Sequence, residues 1–192
     1  MRLKILQILS PYRGIHPQID ESVFIAGGAR VIGDVIIGER SSVWYNAVIR
    51  GDVNEARIGD RVNVQDNAVI HGARAGQGTY IDDDVTIGHG AIVHACNVGA
   101  GSLIGMHACV LDGARVEAGA MVAAGAVVTP RKIVPSGELW AGVPARKLRD
   151  LSHQELEDIK ASAQHYASLA QDYLSDLRAE AQRRREEEEN AG

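Results

Sequence analysis

An aliphatic residue stands at every sixth position of residues 98–128, which read VGAGSLIGMHACVLDGARVEAGAMVAAGAVV. The same spacing extends from Ile19 to Val134, with three changes of phase. The nineteen anchor positions that follow it are Ile19, Ile25, Val31, Ile37, Val43, Ile49, Ile58, Val64, Ile70, Ile81, Ile87, Val93, Val98, Ile104, Val110, Val116, Val122, Val128 and Val134. A period of six fits neither a helix of 3.6 residues per turn nor a simple alternating strand. It predicts a prism whose sides are short strands separated by corners.

The composition agrees with such a prism. The residue four places after an anchor is usually small or β-branched, as at Ala47, Ala68 and Ala108, and the chain has 21 glycines but only 4% aromatic residues. Three sides make one coil and coils stack about 4.8 Å apart, so the anchors predict an all-β solenoid of about six coils. The formal net charge of −5 gives no reason to expect a nucleic-acid partner.

The pattern changes after residue 150, where apolar residues recur alternately three and four positions apart. This spacing indicates one face of an α-helix of about 25 residues. Ser152 and Glu155 have the spacing of a capping box at its start. The chain is therefore predicted to consist of a hexapeptide-repeat solenoid over 1–144, a C-terminal helix over 145–182 and a frayed, charged tail over 183–192.

The cysteines and the amino terminus bear on the cellular compartment in which the protein is expected. Cys96 and Cys109 are too few for a disulfide framework, and we expect each to be a buried structural thiol. The apolar patch of residues 1–10 is interrupted by Lys4 and Gln7, and no later run is long enough to span a membrane. We expect a cytoplasmic protein with no membrane partner.

Three histidines, His71, His89 and His94, fall within 24 residues, and imidazole is a common ligand of divalent metals. His71 and His94 each follow an anchor directly, so strand alternation turns both outward. If residues 72–80 form a loop at one corner, the anchors at 70, 81, 87 and 93 lie on walls A, B, C and A. His71 and His94 then stack one coil apart, whereas His89 reaches their metal only from a second subunit.

A second register is open. If Gly76 acts as a weak anchor, His89 rather than His94 lies above His71, although one histidine still has to come from another subunit. We prefer the first register because its two histidines share the same position in the hexad. The simplest alternative is that all three are surface histidines on a repetitive scaffold.

Polar residues precede His71 in the two preceding coils. Arg50 and Asp52 lie just before the first change of phase, and Asn63, Gln65 and Asp66 surround the anchor Val64. Charged groups on an assembly face need partners, so Arg50 is expected to pair with Asp52 or Asp66, within the chain or across an interface. A structural ion pair without a chemical role is the alternative. Gln65, which is uncharged, is a candidate for orienting a water or bicarbonate.

Together these motifs resemble the γ-class carbonic anhydrases. The resemblance rests on WYNAVIRGD at 44–52, NVQD at 63–66, His71, IGHGAIVH at 87–94 and WAGVPA at 140–145. It covers nearly the whole chain. It implies a left-handed parallel β-helix with a C-terminal α-helix, assembled as a homotrimer.

The resemblance also implies an activity, the reversible hydration of CO₂ to bicarbonate by a metal-bound hydroxide at the trimer interface. The metal would be Zn²⁺, with Fe²⁺ or Co²⁺ as alternatives, held by His71 and His94 of one subunit and His89 of its neighbour. The other residues that match the family's site are Arg50 and Asp66 as an interface ion pair, Asn63 and Gln65 as active-site polar residues, and Tyr166 on the helix, with Tyr173 as its competitor.

The chain departs from the most active members of that family at two places. Val53 stands where they have a glutamate, and the segment 72–78 lacks the acid that they carry after the first histidine. Asp82, Asp83 and Asp84 come later, at a corner. We therefore expect slow proton transfer and low activity. Two other functions stay open: an acyl-CoA-dependent acyltransferase with His107 or His89 as base, and a metal-bearing scaffold without catalysis.

Overall fold

A computed structural model describes residues 8–190 of the chain. The interpretation of residues 1–7 as lacking a signal sequence lies outside this part, as do residues 191 and 192 of the expected tail. The strands are β1 (Leu9–Ser10), β2 (Gln18–Ile19), β3 (Phe24–Ile25), β4 (Arg30–Ile37), β5 (Ser42–Val43), β6 (Val48–Ile58), β7 (Asn63–Val64), β8 (Val69–His71), β9 (Thr79–Ile81), β10 (Thr86–Ile87), β11 (Ile92–His94), β12 (Asn97–Val98), β13 (Leu103–Ile104), β14 (Cys109–Val110), β15 (Arg115–Val116), β16 (Met121–Val122), β17 (Val127–Val128), β18 (Ile133–Val134), β19 (Glu138–Ala141) and β20 (Arg146–Asp150). One long helix, α1 (His153–Asn190), follows them. No helix in residues 8–190 combines the length and apolarity needed to cross a bilayer.

The strands form the three walls of a parallel β-solenoid, as the six-residue period predicts. Wall A contains β1, the first half of β4, the first half of β6, β8, β11, β14 and β17. Wall B contains β2, the second halves of β4 and β6, β9, β12, β15 and β18. Wall C contains β3, β5, β7, β10, β13, β16, β19 and the antiparallel β20. Residues 8–190 make about seven turns rather than six, because β1 pairs with Val31 and Ile32 ahead of the first anchor.

The core is a stack of the anchors and of the small residues that follow them. Ile49, Ile70 and Val93 lie side by side in wall A and are fully buried. Small residues such as Ala47 and Ala68 fill the space between the large ones, and they too are fully buried. Burial of one large aliphatic side chain contributes about 1.5–3 kcal/mol, so the repeat itself supplies the hydrophobic stabilisation.

The corner between walls C and A requires residues that accept a positive φ. Asn46, Asn67, Gly90 and His107 occupy this position in successive turns, with φ between 56° and 67°. At Gly90 a Cβ atom would lie 2.5 Å from the His107 ring, so a larger residue there would have to displace that ring. His89 directly precedes this glycine and is held at the same corner.

The changes of phase are absorbed at the corner between walls A and B. β6 runs through this corner without a break, and its register against β4 shifts between Gly33 and Val35. In the next turn the chain leaves the wall after His71 and returns at Thr79. Insertions at one corner leave the walls in register, so the strands on either side of the loop still stack.

The helix α1 lies against wall C. Phe24, Ala26 and Trp44 on the outer surface of that wall form a second buried cluster with Ala170. The start of the helix has the predicted capping box: the Ser152 amide donates to Glu155 Oε2 at 2.9 Å, and the Glu155 amide donates to Ser152 Oγ at 3.3 Å.

Two predicted boundaries differ from the structure. The helix starts at His153 rather than 145, because residues 146–150 form β20, which pairs with β19 and ends at the capping box. The predicted tail is helical as far as residue 190. Its Arg, Gln, Glu and Ala residues favour helix, and pairs such as Glu180–Arg184 add support four residues apart.

Candidate metal centre

His71 and His94 lie on neighbouring strands of wall A. β8 and β11 pair in parallel, with His94 opposite His71, which is the preferred of the two registers. Their rings approach so closely that His71 Nδ1 lies 3.2 Å from His94 Nε2. The two imidazoles thus direct one nitrogen each toward a common point.

The other nitrogen of each ring contacts a carboxylate. His71 Nε2 lies 3.0 Å from Asp52 Oδ1, and His94 Nδ1 lies 2.6 Å from Asp112 Oδ1. Metal-binding histidines usually have a carboxylate, carbonyl or water on the second nitrogen, because it fixes the ring and raises its basicity. The sequence reasoning missed Asp112. Its signal is its place one coil beyond His94 at the same corner.

The donor geometry fits a divalent metal. Two nitrogens that each lie about 2.0–2.1 Å from a tetrahedral ion are about 3.3 Å apart, and the observed separation is 3.2 Å. Carboxylates only accept hydrogen bonds, so Asp52 and Asp112 favour ring protons on the nitrogens that face them. Both nitrogens that face each other then carry lone pairs, which a cation between them would stabilise.

Arg50 acts on the same histidine from a different direction. Its Nη2 lies 3.0 Å from His71 Nε2, and its Nη1 lies 3.3 Å from Asp52 Oδ2. Arg50 therefore favours the opposite tautomer, in which His71 Nε2 accepts from Arg50 and His71 Nδ1–H donates a hydrogen bond to His94 Nε2. Partial burial tends to raise the pKa of Asp52, but the hydrogen bond with His71 and the charge of Arg50 outweigh it and lower that pKa. Asp52 is thus ionised at neutral pH.

His89 lies apart from this pair, at the corner between walls C and A. Its Nδ1 contacts Asp66 Oδ2 at 2.7 Å, so it has the same carboxylate support as the other two histidines. Among residues 8–190 no three His, Cys, Asp or Glu side chains are placed to hold one ion. In this chain Arg50 pairs with Asp52 rather than Asp66.

Asn63 and Gln65 lie on the outer surface of wall C, with His89 and not with the His71–His94 pair. β7 pairs with β10, which brings Asn63 beside Thr86 and Asp66 near His89. Gln65 Nε2 donates to Asn63 Oδ1 at 3.0 Å, and Asn63 Nδ2 donates to Thr86 Oγ1 at 2.9 Å. Both side chains are buried, on the wall that α1 covers.

The tyrosines on α1 face the same wall. Tyr166 packs edge-on against Trp44, with 5.5 Å between ring centroids. Burial raises its pKa, and so does the nearby charge of Asp66. Tyr173 contacts Phe24 and Trp44. Both tyrosines therefore take part in the aromatic packing between helix and wall, and Tyr166 is the one whose pKa the charge of Asp66 raises.

Comparison with known proteins gives the family. A family model described as bacterial transferase hexapeptide (six repeats) matches residues 16–51. The mitochondrial gamma carbonic anhydrase 1 of Arabidopsis thaliana is 47% identical over 165 residues, 83% of this chain and 60% of that protein. A carbonic anhydrase of Geobacillus kaustophilus is 40% identical over 86% of this chain and 91% of its own length. This chain belongs to the γ-class carbonic anhydrase family.

A solved structure agrees with the fold of this γ-class chain. The hexapeptide transferase family protein from Anaplasma phagocytophilum has a TM-score of 0.84 and 46% sequence identity, over 90% of this chain and 99% of that one. The chain spans about 60% of the length of the Arabidopsis relatives that it matches.

Two features of this γ-class chain bear on proton transfer. Val53 is exposed beside Asp52 and offers no titratable group. The loop 72–78 is held at its base by Asn54, whose Nδ2 donates to the carbonyl oxygens of Ala73 and Gly76, each at 3.2 Å. Neither segment supplies an acid beside His71.

The outer surface of wall A carries an apolar row. Val48, Val69, Ile92, Cys109 and Val127 are paired in register across five strands, and all five are partly or fully exposed. The expectation that Cys109 is buried is therefore wrong, because its side chain points outward. Cys96 is buried as predicted, and burial raises the pKa of its thiol to about 12.

Proposed function

We propose that this chain is one subunit of a homotrimeric, metal-dependent carbonic anhydrase that interconverts CO₂ and bicarbonate. The observation that carries the proposal is the 3.2 Å separation of His71 Nδ1 and His94 Nε2, with a carboxylate on the remaining nitrogen of each ring. Catalytic zinc sites have three protein ligands and one open position. His89 of a second subunit is the third ligand in this proposal.

The apolar row of wall A supports a shared site. A solvent-facing row of aliphatic side chains indicates an interaction surface, and this row runs beside the His71–His94 pair. The pair and His89 lie at different corners of the prism, so a contact between copies is heterologous. Repeated about a three-fold axis, a heterologous contact closes into a ring, which gives three equivalent metal sites.

A divalent metal held by these histidines, Zn²⁺ or alternatively Fe²⁺ or Co²⁺, would lower the pKa of water to about 7 and so supply the nucleophile for CO₂. Asp112 and Asp66 favour the ligating tautomers of His94 and His89. Asp52 favours that of His71 against the opposing contact with Arg50, and in this proposal the metal selects it. Gln65 has its amide nitrogen committed to Asn63, so its carbonyl oxygen is the atom that orients the reacting water. Tyr166 closes the site from the helix side.

Proton release limits the rate in this proposal. With valine at position 53 and no acid in the loop 72–78, protons pass to buffer rather than to a side chain close to the site. Turnover should therefore be low and should rise with buffer concentration. This behaviour separates a slow anhydrase from an inactive protein.

An acyltransferase is the second candidate, and the name of the Anaplasma structure favours it. His107 or His89 would then act as the general base that deprotonates the acceptor molecule, which receives the acyl group from acyl-CoA. An acyltransferase needs a single histidine as base and gives no reason for the stacked His71–His94 pair, so we rank this function second. Binding of acetyl-CoA by metal-free protein would favour it.

A metal-bearing scaffold is the third candidate. The lack of an acid at position 53 and in the loop 72–78 favours it, since a protein selected only for assembly needs no route for protons. It predicts full metal occupancy and trimers, but no hydration of CO₂ at any buffer concentration.

No nucleic-acid or membrane partner forms part of the proposal, and the cytoplasm is the proposed location. The name of the Arabidopsis relative gives a mitochondrial location for that protein. Fractionation of cells that express the chain at its natural level distinguishes the two compartments.

Metal analysis combined with stopped-flow CO₂ hydration tests the proposed function. We expect about one metal per subunit and measurable hydration. His89→Ala should lose both while the trimer survives, and His16→Ala, which removes an exposed histidine outside the site, should keep both. Metal and activity retained by His89→Ala would refute the shared site.

A further inference from the structure

We propose that Thr79 is a positioning residue for the metal site, because its buried hydroxyl fixes the backbone of His71 relative to that of His94. The inference rests on the proposed function, since it concerns how two ligands of that site are held. Thr79 is fully buried at the start of β9, and its role does not follow from any of the motifs above.

The hydroxyl of Thr79 makes two hydrogen bonds that join the histidine strands. It donates to the carbonyl oxygen of His71 at 2.6 Å and accepts from the amide of Ala95 at 2.9 Å. Ala95 directly follows His94, and its amide also donates to the His71 carbonyl at 2.9 Å. Three hydrogen bonds therefore join the Thr79 hydroxyl, the His71 carbonyl and the Ala95 amide, and they connect the backbones of the two ligand strands.

Local geometry explains why this corner needs an additional bond. The chain leaves the wall after His71 for the loop 72–78, so His71 has no regular continuation on its carboxyl side. Ala95 has a positive φ of 47°, which a residue with a Cβ adopts at some cost. Thr79 restrains both irregular points.

Small displacements of the backbone matter here because the two ring nitrogens must share one ion. Metal ligands are placed by the groups behind them, and loss of such outer partners typically weakens metal affinity 10–100-fold. Asp52 and Asp112 hold the rings from the side-chain end. Thr79 holds the same pair from the backbone end.

The chain contains a matched control for this hydroxyl. Ser41, also buried, donates to the carbonyl oxygen of Gly59 at 2.9 Å and accepts from the amide of Val62 at 2.9 Å. It thus makes the same two types of hydrogen bond, both to the next turn, at a corner away from the histidine pair. Loss of its hydroxyl measures the general cost of such a bridge.

The experiment titrates metal-free protein with Co²⁺ and follows the visible absorbance of the bound ion. Thr79→Ser keeps the hydroxyl, and Thr79→Ala differs from it by that hydroxyl alone, as Ser41→Ala differs from wild type. We expect Thr79→Ala to bind Co²⁺ at least about tenfold more weakly than Thr79→Ser, and Ser41→Ala to bind like wild type. Amide exchange of metal-free protein should be faster at Ala95 in Thr79→Ala.

The possible outcomes distinguish failure of the role of Thr79 from failure of the proposed metal-dependent function. Equal Co²⁺ affinity of Thr79→Ala and Thr79→Ser, or the same loss in Ser41→Ala, would overturn the role of Thr79 and leave the metal site intact. Wild-type protein that takes up no Co²⁺ would overturn the proposed function itself. If Thr79→Ala does not fold, Thr79→Val replaces it, because valine also removes the hydroxyl and keeps a side chain of similar volume.

Discussion

His94 lies directly opposite His71 on the next turn of wall A, and one nitrogen of each ring faces the other across 3.2 Å. The pairing follows from the repeat, since both residues come immediately after a buried anchor. Asp52 and Asp112 contact the remaining nitrogen of each ring, and in the proposed function they fix the two rings as metal ligands.

Asp112→Asn should weaken metal binding without unfolding the protein. Asparagine keeps the size of the side chain but loses the carboxylate that accepts from His94 Nδ1 and fixes its ring, so we expect a loss of affinity of about 10–100-fold. Asp82→Asn, at a different corner, is the control and should bind metal normally. Competition with a chromophoric chelator measures both, and equal affinities would exclude Asp112 from the site.

Gln65→Ala should retain metal and lose turnover. The glutamine is not one of the proposed ligands and its amide nitrogen is bonded to Asn63, so its loss should affect orientation of the reacting water and not coordination. Ser42→Ala provides the control, because Ser42 is also buried on wall C and its hydroxyl accepts a hydrogen bond from Trp44 Nε1. Stopped-flow measurement of CO₂ hydration by the metal-loaded variants compares their turnover. Unchanged turnover in Gln65→Ala would remove Gln65 from the mechanism.

Ile92→Asp should break the assembly and, with it, metal binding. Ile92 is 39% exposed on the apolar row of wall A, where a buried charge without a partner is costly. Ile133 is 49% exposed on wall B, so Ile133→Asp is the matched control and should stay trimeric. Sedimentation velocity with metal analysis gives both readouts. A trimeric Ile92→Asp would show that wall A is not the interface.

Glu155 should make the start of α1 sensitive to acid. Hydrogen bonds from Arg149 and Ser152 lower its pKa from 4.5 to about 2, so its ionised form stabilises the fold above the unfolded-state pKa. That stabilisation should disappear as the pH falls from about 4.5 to about 2. Thermal unfolding of wild type and Glu155→Gln tests this: the difference in Tm should shrink over that interval, and a constant difference would contradict it.

The repeat and the histidine register were predictable because a six-residue period states directly which residues share a wall. The cover over Asn63 and Gln65 was not predictable in this way. Nothing in the hexads tells which wall the helix covers, so the sequence could not show that Asn63 and Gln65, expected as active-site polar residues, are buried on the wall that α1 covers.

Hydrogen-bond partners of the histidines that depend on corner geometry also could not be predicted from the sequence. Asp112 and Thr79 meet the histidines through turns whose lengths vary, and a loop of unknown path separates Thr79 from His71. The helix boundary at His153 was within reach, since the capping box at Ser152 and Glu155 marks it. The predicted start at residue 145 lies eight residues too early, because residues 146–150 form β20.

The shared site is tested most directly by mixing two defective subunits. His71→Ala and His89→Ala homotrimers should each bind no metal. Trimers co-expressed from equal amounts of both should regain about one quarter of the wild-type metal, because a quarter of the contacts then join an intact pair to an intact His89. Mixed trimers that hold no metal, or a His89→Ala homotrimer with its full complement, would contradict a site built between subunits.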